Sequence, residues 1–259
     1  MTDVTTEDTW TIEPVCLGEF PILERSAFTY MRGYGEKFSA PAIGFVLRSR
    51  WGTVLLDTGP GDPAGNDGLH STWTRTPEQE LVTALRSVGV EADELEWVIL
   101  SHLHYDHCSD LDLFPRATFV VQAEELRSAV DPVRPQRGMY EFGFEGRIPP
   151  WMTVTSQLRT VRGDTTLFPG LDLILLPGHT PGLHGVLVQT TGGPHLIAVD
   201  LVSVLDNWGA GGPDDWIAPG IHVDLAACER SFERIRETGA RVIATHDWRT
   251  FDHARYPAE

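Results

Sequence analysis

The stretch Ser101-His102-Leu103-His104-Tyr105-Asp106-His107 follows without a break on the apolar run Trp97-Val98-Ile99-Leu100. Such a run reads as a short buried strand, and the polar cluster begins where the strand ends. In an extended chain residues two apart share a face, so His102, His104 and Asp106 project together. A turn after Asp106 sends the adjacent His107 elsewhere. A solvated loop gives no reason to crowd four ionisable side chains against the end of a buried strand. A shared cation does.

The same grammar recurs along the chain. His179 follows Leu173-Ile174-Leu175-Leu176, Asp200 follows Leu196-Ile197-Ala198-Val199, and His246 follows Val242-Ile243-Ala244. Taken singly, His179 or His246 reads as an ordinary histidine and Asp200 as a turn cap. Jointly they read as ligands, because sites in open sheets form beyond the carboxyl ends of strands. Seven ligands are too many for one tetrahedral zinc, but two divalent ions sharing a bridging carboxylate accommodate them. Imidazole and carboxylate together suit zinc, with iron, manganese or cobalt as alternatives. The remaining histidines, His70, His184, His195, His222 and His253, read as ordinary core or surface residues, with His184 and His222 as pocket candidates. Cys108 reads as a small buried side chain.

The rest of the pattern defines an α/β or α+β class with helices covering sheets. Strands are expected at 42–48, 53–57, 118–121, 171–176, 185–189, 196–199 and 241–245, with a hairpin turn at Ser49-Arg50-Trp51-Gly52. Thr76-Pro77-Glu78-Gln79 announces a helix through a capping box. Further helices are expected at 124–130 and over Leu225, Cys228, Phe232 and Ile235, the last ending at Gly239. No linker divides the chain, so residues 1–259 read as one domain, with residues 1–40 an N-terminal extension packed on it. The long loops Asp131–Pro150 (Met139, Tyr140, Phe142, Phe144) and Asp206–Gly220 (Trp208, Trp216) are expected either to wall an apolar acyl pocket or to fill space beneath themselves.

Composition removes other classes. The 259 residues carry 20 Lys and Arg against 37 Asp and Glu, a formal charge of −17, which repels nucleic-acid phosphates and anionic membranes. No apolar run approaches the roughly 20 residues of a spanning helix. The acidic, polar start lacks the basic and apolar regions of a signal peptide. Three scattered cysteines, Cys16, Cys108 and Cys228, make no disulfide framework. Together these point to a cytoplasmic protein.

His102-Leu103-His104-Tyr105-Asp106-His107 resembles the HxHxDH signature of the metallo-β-lactamase fold superfamily. Leu55-Leu56-Asp57-Thr58-Gly59 resembles its early strand-end aspartate motif, and Pro177-Gly178-His179-Thr180-Pro181-Gly182 its next histidine segment. Asp200 and His246 stand where the bridging aspartate and final histidine belong. The resemblance implies an αββα sandwich with a binuclear site at one edge. It assigns His102, His104 and His179 to one ion, Asp106, His107 and His246 to the other, and Asp200 to both. Asp57 then orients the ligand loop.

Within the superfamily the chain looks most similar to N-acyl homoserine lactonases and related small lactone hydrolases. The implied reaction is attack of a metal-bridging hydroxide on a lactone or ester carbonyl of a small substrate. Asp106 returns the proton to the leaving alkoxide, and Ser203 or Tyr105 supplies a hydrogen bond to the oxyanion. Ser203 occupies the place of those lactonases' usual tyrosine, and Leu183 displaces a second histidine. A homodimer is implied by resemblance alone. A thioesterase with an added helical region is disfavoured, since 13 residues follow His246, and a thioesterase-type metallo-hydrolase of the same fold acting on other thioesters stands as the alternative. A nuclease would need a basic module. Metallo-β-lactamases place cysteine where Asp200 stands. A metal-binding regulator without turnover is the non-enzymatic alternative.

Overall fold

The structure is a computed structural model, describing residues 8–209 and 215–258. The acidic start and the centre of the 206–220 loop lie outside the described residues. Two sheets account for the strands among those described. The first runs, in spatial order, β1 (Thr11–Glu24), β2 (Lys37–Ser49), β3 (Gly52–Leu56), β4 (Trp97–Ile99), β5 (Thr118–Gln122) and β6 (Leu158–Val161). The second contains β7 (Thr165–Phe168), β8 (Leu171–Leu175), β9 (His184–Thr190), β10 (Gly193–Ile197) and β11 (Arg241–Ile243), in the order β11-β10-β9-β8-β7. Strands β3 to β6 pair in parallel, as do β10 and β11, and the remaining pairs are antiparallel.

Alternation along the central strands builds two apolar layers. Phe45, Leu47, Val54, Leu56, Ile99 and Val120 face Leu173, Val186, Val188 and Leu196 of the second sheet. Their neighbours Val46, Leu55, Val98, Phe119 and Val121 turn to the opposite side. With both faces buried, these strands must be apolar throughout, which explains the unbroken runs in the sequence. The helices are α1 (Arg25–Phe28), α2 (Leu81–Ser87), α3 (Ala123–Val130), α4 (Pro150–Thr153) and α5 (Leu225–Thr238). Leu81, Ala84 and Leu85 of α2 and Ala129 of α3 cover the outside of the first sheet. Cys228, Phe232 and Ile235 of α5 pack with the second. The αββα sandwich follows.

Several boundaries differ from expectation. Thr76 N–H does bond Gln79 Oε1 at 2.9 Å, but Pro77–Gln79 forms a single 3₁₀ turn and the α-helix starts only at Leu81. β1, β6 and β7 carry no clear sequence signal. In β1, Pro14, Gly18 and Pro21 interrupt the pattern; an edge strand tolerates them because its outer N–H groups pair with nothing in the sheet. Residues 11–24 are thus an edge strand of the sandwich, continuous with its core through Ile12, Val15 and Leu17.

His184 opens β9, its N–H on Ser101 O at 3.1 Å. Its ring is fully buried, with neither nitrogen partnered among the described residues. Burial pushes the imidazole from 6.5 down to about 3. Unfolded chain takes up a proton below pH 6.5 that the folded ring refuses, so the titration of this residue costs nothing above that pH. Below it, stability falls by about 1.4 kcal/mol per pH unit until the folded ring itself protonates. His184→Leu is expected to flatten that dependence between pH 6.5 and about 4, as read from urea unfolding midpoints.

Candidate metal centre and active-site pocket

Strand ends from both sheets deliver the polar residues to one edge of the sandwich. β3 leads to Asp57, β4 to His102–His107, β8 to His179, β10 to Asp200 and β11 to His246. Two of these exits are strained. Asp57 and Val199, the residue before Asp200, adopt φ of 58° and 45°, a region costly for non-glycine residues and above all for a β-branched one.

All seven sequence-predicted ligands meet. His104 Nδ1 lies 3.1 Å from His102 Nε2 and 3.0 Å from His179 Nε2. His107 Nε2 and His246 Nε2 are 3.3 Å apart, each 3.9 Å from Asp106 Oδ2. Asp200 stands between the groups. Its Oδ2 is 3.5 Å from His179 Nε2, and its Oδ1 is 3.4 Å from both His107 and His246.

The far side of each ring decides what the near side offers. His107 Nδ1 donates to Asp57 Oδ2 at 2.8 Å, His179 Nδ1 to Ile221 O at 2.7 Å, and His246 Nδ1 to Pro41 O at 2.9 Å. A carboxylate and two backbone carbonyls only accept, so each ring, when neutral, turns a lone pair inward. Ser101 Oγ gives its proton to Asp57 and accepts from His102 Nδ1 at 3.0 Å, which adds a fourth. Converging lone pairs repel unless a cation sits between them. Asp106 Oδ1 and His104 Nε2 are buried without a partner among the described residues. This donor set fits divalent metal ions.

Electrostatics point the same way. Burial, then the neighbouring imidazoles, hold His102 and His104 well below the usual range. Burial also opposes charge on His107 and His246, but the nearby aspartates, Asp200 foremost, outweigh it and raise both. Burial pushes Asp200 up, yet His107 and His246 hold it well below the ordinary carboxylate range. The centre demands positive charge.

Two carboxylates lock the ligand loops. Asp57, expected to orient the loop, accepts from Ser101 N–H, Ser101 Oγ and His107. Glu125 of α3 was not foreseen. Its fully buried carboxylate accepts from Leu103 N–H (3.0 Å), Tyr140 Oη (2.8 Å), Thr180 Oγ1 (2.7 Å) and Gly182 N–H (3.1 Å). It therefore ties the His102–His107 loop to the His179 loop. A Cβ at Gly182 would come within 2.1 Å of Glu125 N, and one at Gly178 within 2.4 Å of Cys228 Sγ. Those close approaches explain both glycines of Pro177-Gly178-His179-Thr180-Pro181-Gly182.

Beside the cluster opens a cavity of about 260 Å³ lined by Asp106, His179, Asp200, Ser203 and His246 and by apolar side chains. Its walls differ from those expected of the two long loops. Met139 does line it, but Tyr140 is buried on Glu125. Trp208 and Trp216 stack on each other and on Phe232. Each long loop gives the wall one apolar residue, Met139 and Pro219, and Phe20, Leu23, Ala27 and Phe28 of the N-terminal segment add the larger share. A register shift in β1 between Phe20 and Leu23 lets both of these strand residues line the cavity. Phe20 and Phe28 also flank the His246 ring edge-on, with centroids 6.1 and 5.9 Å away.

Tyr105 and Ser203 both line the cavity, and burial drives the Tyr105 phenol far above its ordinary range. Ser203 Oγ reaches Asp200 O at 3.4 Å. His184 and His222 are not among the lining residues; His70, read as ordinary, is. Its neighbours Leu69 and Ser71 carry no motif, and its partner Glu141 is 71 residues away. No local pattern could have found it.

Residues 45–246 match the family model of the metallo-beta-lactamase superfamily. The chain belongs to that superfamily and is a metal-dependent hydrolase. It is 28% identical over 245 residues to the N-acyl homoserine lactonase AttM of Azorhizobium caulinodans, covering 86% of this chain and 89% of that one. It is 29% identical over 197 residues to an N-acyl homoserine lactonase of a Bacillus species, covering 72% and 74%. Its fold matches a mutant of Bacillus thuringiensis AiiA with N-decanoyl-L-homoserine bound at the active site, with TM-score 0.76 and 22% identity over 93% of this chain and 95% of that one. Among the described residues, no helix is long and apolar enough to cross a membrane.

Glu125→Ala strands four donors in the interior. It is expected to cost about 3 kcal/mol or more in unfolding free energy and to weaken metal retention about 10- to 100-fold. Calorimetry and metal analysis after dialysis against a chelator check both.

Proposed function

We propose that the chain is a two-metal lactonase acting on N-acyl homoserine lactones or closely related lactones. One observation carries the reading: the two oxygens of Asp200 address separate ligand groups beside an apolar cavity. His102 Nε2, His104 Nδ1 and His179 Nε2 would hold one divalent ion. Asp106 Oδ2, His107 Nε2 and His246 Nε2 would hold the other, and Asp200 both. Zinc fits this donor set best. Such ions supply Lewis acidity, lowering the pKa of water to about 7 and polarising a carbonyl.

The protein's own groups do the rest. Asp106 Oδ1 has no partner among the described residues, so that atom takes up the proton released on attack and hands it to the leaving alkoxide. Ser203 Oγ gives a short-reach donor toward the substrate carbonyl oxygen, in the role that Tyr105 is otherwise positioned to fill. Phe20, Leu23, Ala27, Phe28 and Met139 receive the acyl chain and exclude water. The named activities of the lactonase relatives support the substrate class. The free cysteines suit a reducing, cytoplasmic setting.

His104→Ala and Asp200→Ala are expected to lose bound metal and lactone hydrolysis together. Full metal content with full turnover in either would sink the scheme. Asp106→Asn lowers kcat about 10²- to 10⁴-fold. Across an acyl-chain series on the wild type, kcat/KM rises about fourfold per methylene until the cavity fills. A flat series excludes the acyl pocket. Parallel assays with esters, thioesters and β-lactams distinguish the lactonase from its relatives in chemistry.

A further inference from the structure

Beyond the ligand cluster, the cavity wall contains one more imidazole. The His70 side chain is 2% exposed, and its Nε2 lies 2.9 Å from Glu141 Oε1. Glu141 also bonds Arg147, which reaches on to Asp67. The His70 ring lies flat on Tyr105, with centroids 3.6 Å apart and planes inclined by 12°. Trp73 closes in beside both. Nothing in the ligand cluster requires this arrangement, and its cost in side-chain freedom is spent on a ring that faces substrate space.

The hydrogen bonds assign the tautomer. Burial raises the Glu141 carboxyl, but His70 and Arg147 outweigh it and hold Glu141 below the usual range. A carboxylate only accepts, so His70 Nε2 carries the proton. In the tautomer that carries this proton alone, Nδ1 bears a lone pair, and the ring's hydrogen bond among the described residues is made by Nε2. Stacking and the Glu141 bond together prevent the ring from flipping. The result is a fixed acceptor in the cavity wall, next in sequence to the apolar lining residue Leu69.

A fixed acceptor selects a ligand that brings an N–H. We infer that His70 Nδ1 accepts the amide N–H of an N-acylated lactone and so determines specificity for it over lactones bearing a plain alkyl chain. Glu141 acts as the positioning residue. The inference rests on the lactonase reading and goes further, because it names the substrate atom recognised. An alkyl lactone leaves Nδ1 unpaired, and polar pockets reject such analogues far more strongly than apolar pockets reject a lost methylene.

The test uses metal-loaded enzyme, His70→Phe and Glu141→Gln. Phenylalanine keeps the stack on Tyr105 and removes both nitrogens. For an N-acyl homoserine lactone, His70→Phe is expected to lower kcat/KM about tenfold, mostly through KM. For a γ-alkyl butyrolactone of matched length the loss stays below about threefold. Glu141→Gln shifts selectivity in the same direction by less. A second arm measures calorimetric binding of two non-hydrolysable γ-lactams, one bearing an exocyclic acylamino group (the N-acylated lactam) and one alkyl, and expects the same split in Kd. Equal losses on both substrate classes, or none on the N-acyl lactone, overturn the inference. Should the wild type hydrolyse neither lactone, the lactonase reading fails and the lactam arm decides for His70. A preference for the N-acylated lactam that vanishes in His70→Phe upholds it, and equal affinities overturn it.

Discussion

Imidazole nitrogens whose protons are committed elsewhere converge here on one small volume, and that is the constraint on which the rest of the molecule turns. His107, His179 and His246 each donate from Nδ1 to an acceptor that cannot donate in return. Their Nε2 atoms are thereby left as lone pairs aimed at one another and at Asp200. Bringing them together costs free energy until positive charge occupies the space. The aspartates draw that charge in, and the two buried residues at φ of 58° and 45° are held by what surrounds them.

The sandwich makes that convergence affordable. His102 to His107 leave the first sheet, whereas His179, Asp200 and His246 leave the second. Neither sheet alone holds a complete ligand set. Packing of Leu56, Ile99 and Val120 against Val186 and Leu196 sets how far apart the two groups stand. Glu125 and Asp57 then remove the remaining freedom of the loops. Close contact at Gly178 and Gly182 seats the His179 loop against α5 and α3.

The cavity has a separate origin. Much of its apolar wall belongs to the first forty residues, which join the first sheet through β1 and bend over the site through α1. Phe20 and Phe28 both line the cavity and flank His246, so the segment that shapes the substrate space also steadies a ligand. Arg25 reaches Asp206, and Arg249 bonds both Asp206 and Asp247, linking this roof to the residue after His246. The cavity wall and the surroundings of His246 share the same side chains.

What could be read from the chain alone follows from where the signal lies. The ligands stand directly after apolar runs, so a strand and its terminal ligand are adjacent in sequence, and short-range pattern suffices. Strands buried on both faces are conspicuous for the same reason. β1, β6 and β7 lie at the sheet margins, where prolines, glycines and polar residues are tolerated and blur the pattern. Glu125, His70 and the Phe20–Phe28 wall depend on partners tens of residues away. A buried carboxylate with four donors looks in sequence like any helix-face glutamate, and a stacked histidine like any loop histidine. The amino-acid order alone determined the sandwich and the seven side chains at its edge, because each is written within a few residues of a strand. Only folding decided which loops are clamped, which segment walls the cavity and which imidazole faces it, because those contacts exist only once distant segments pack together.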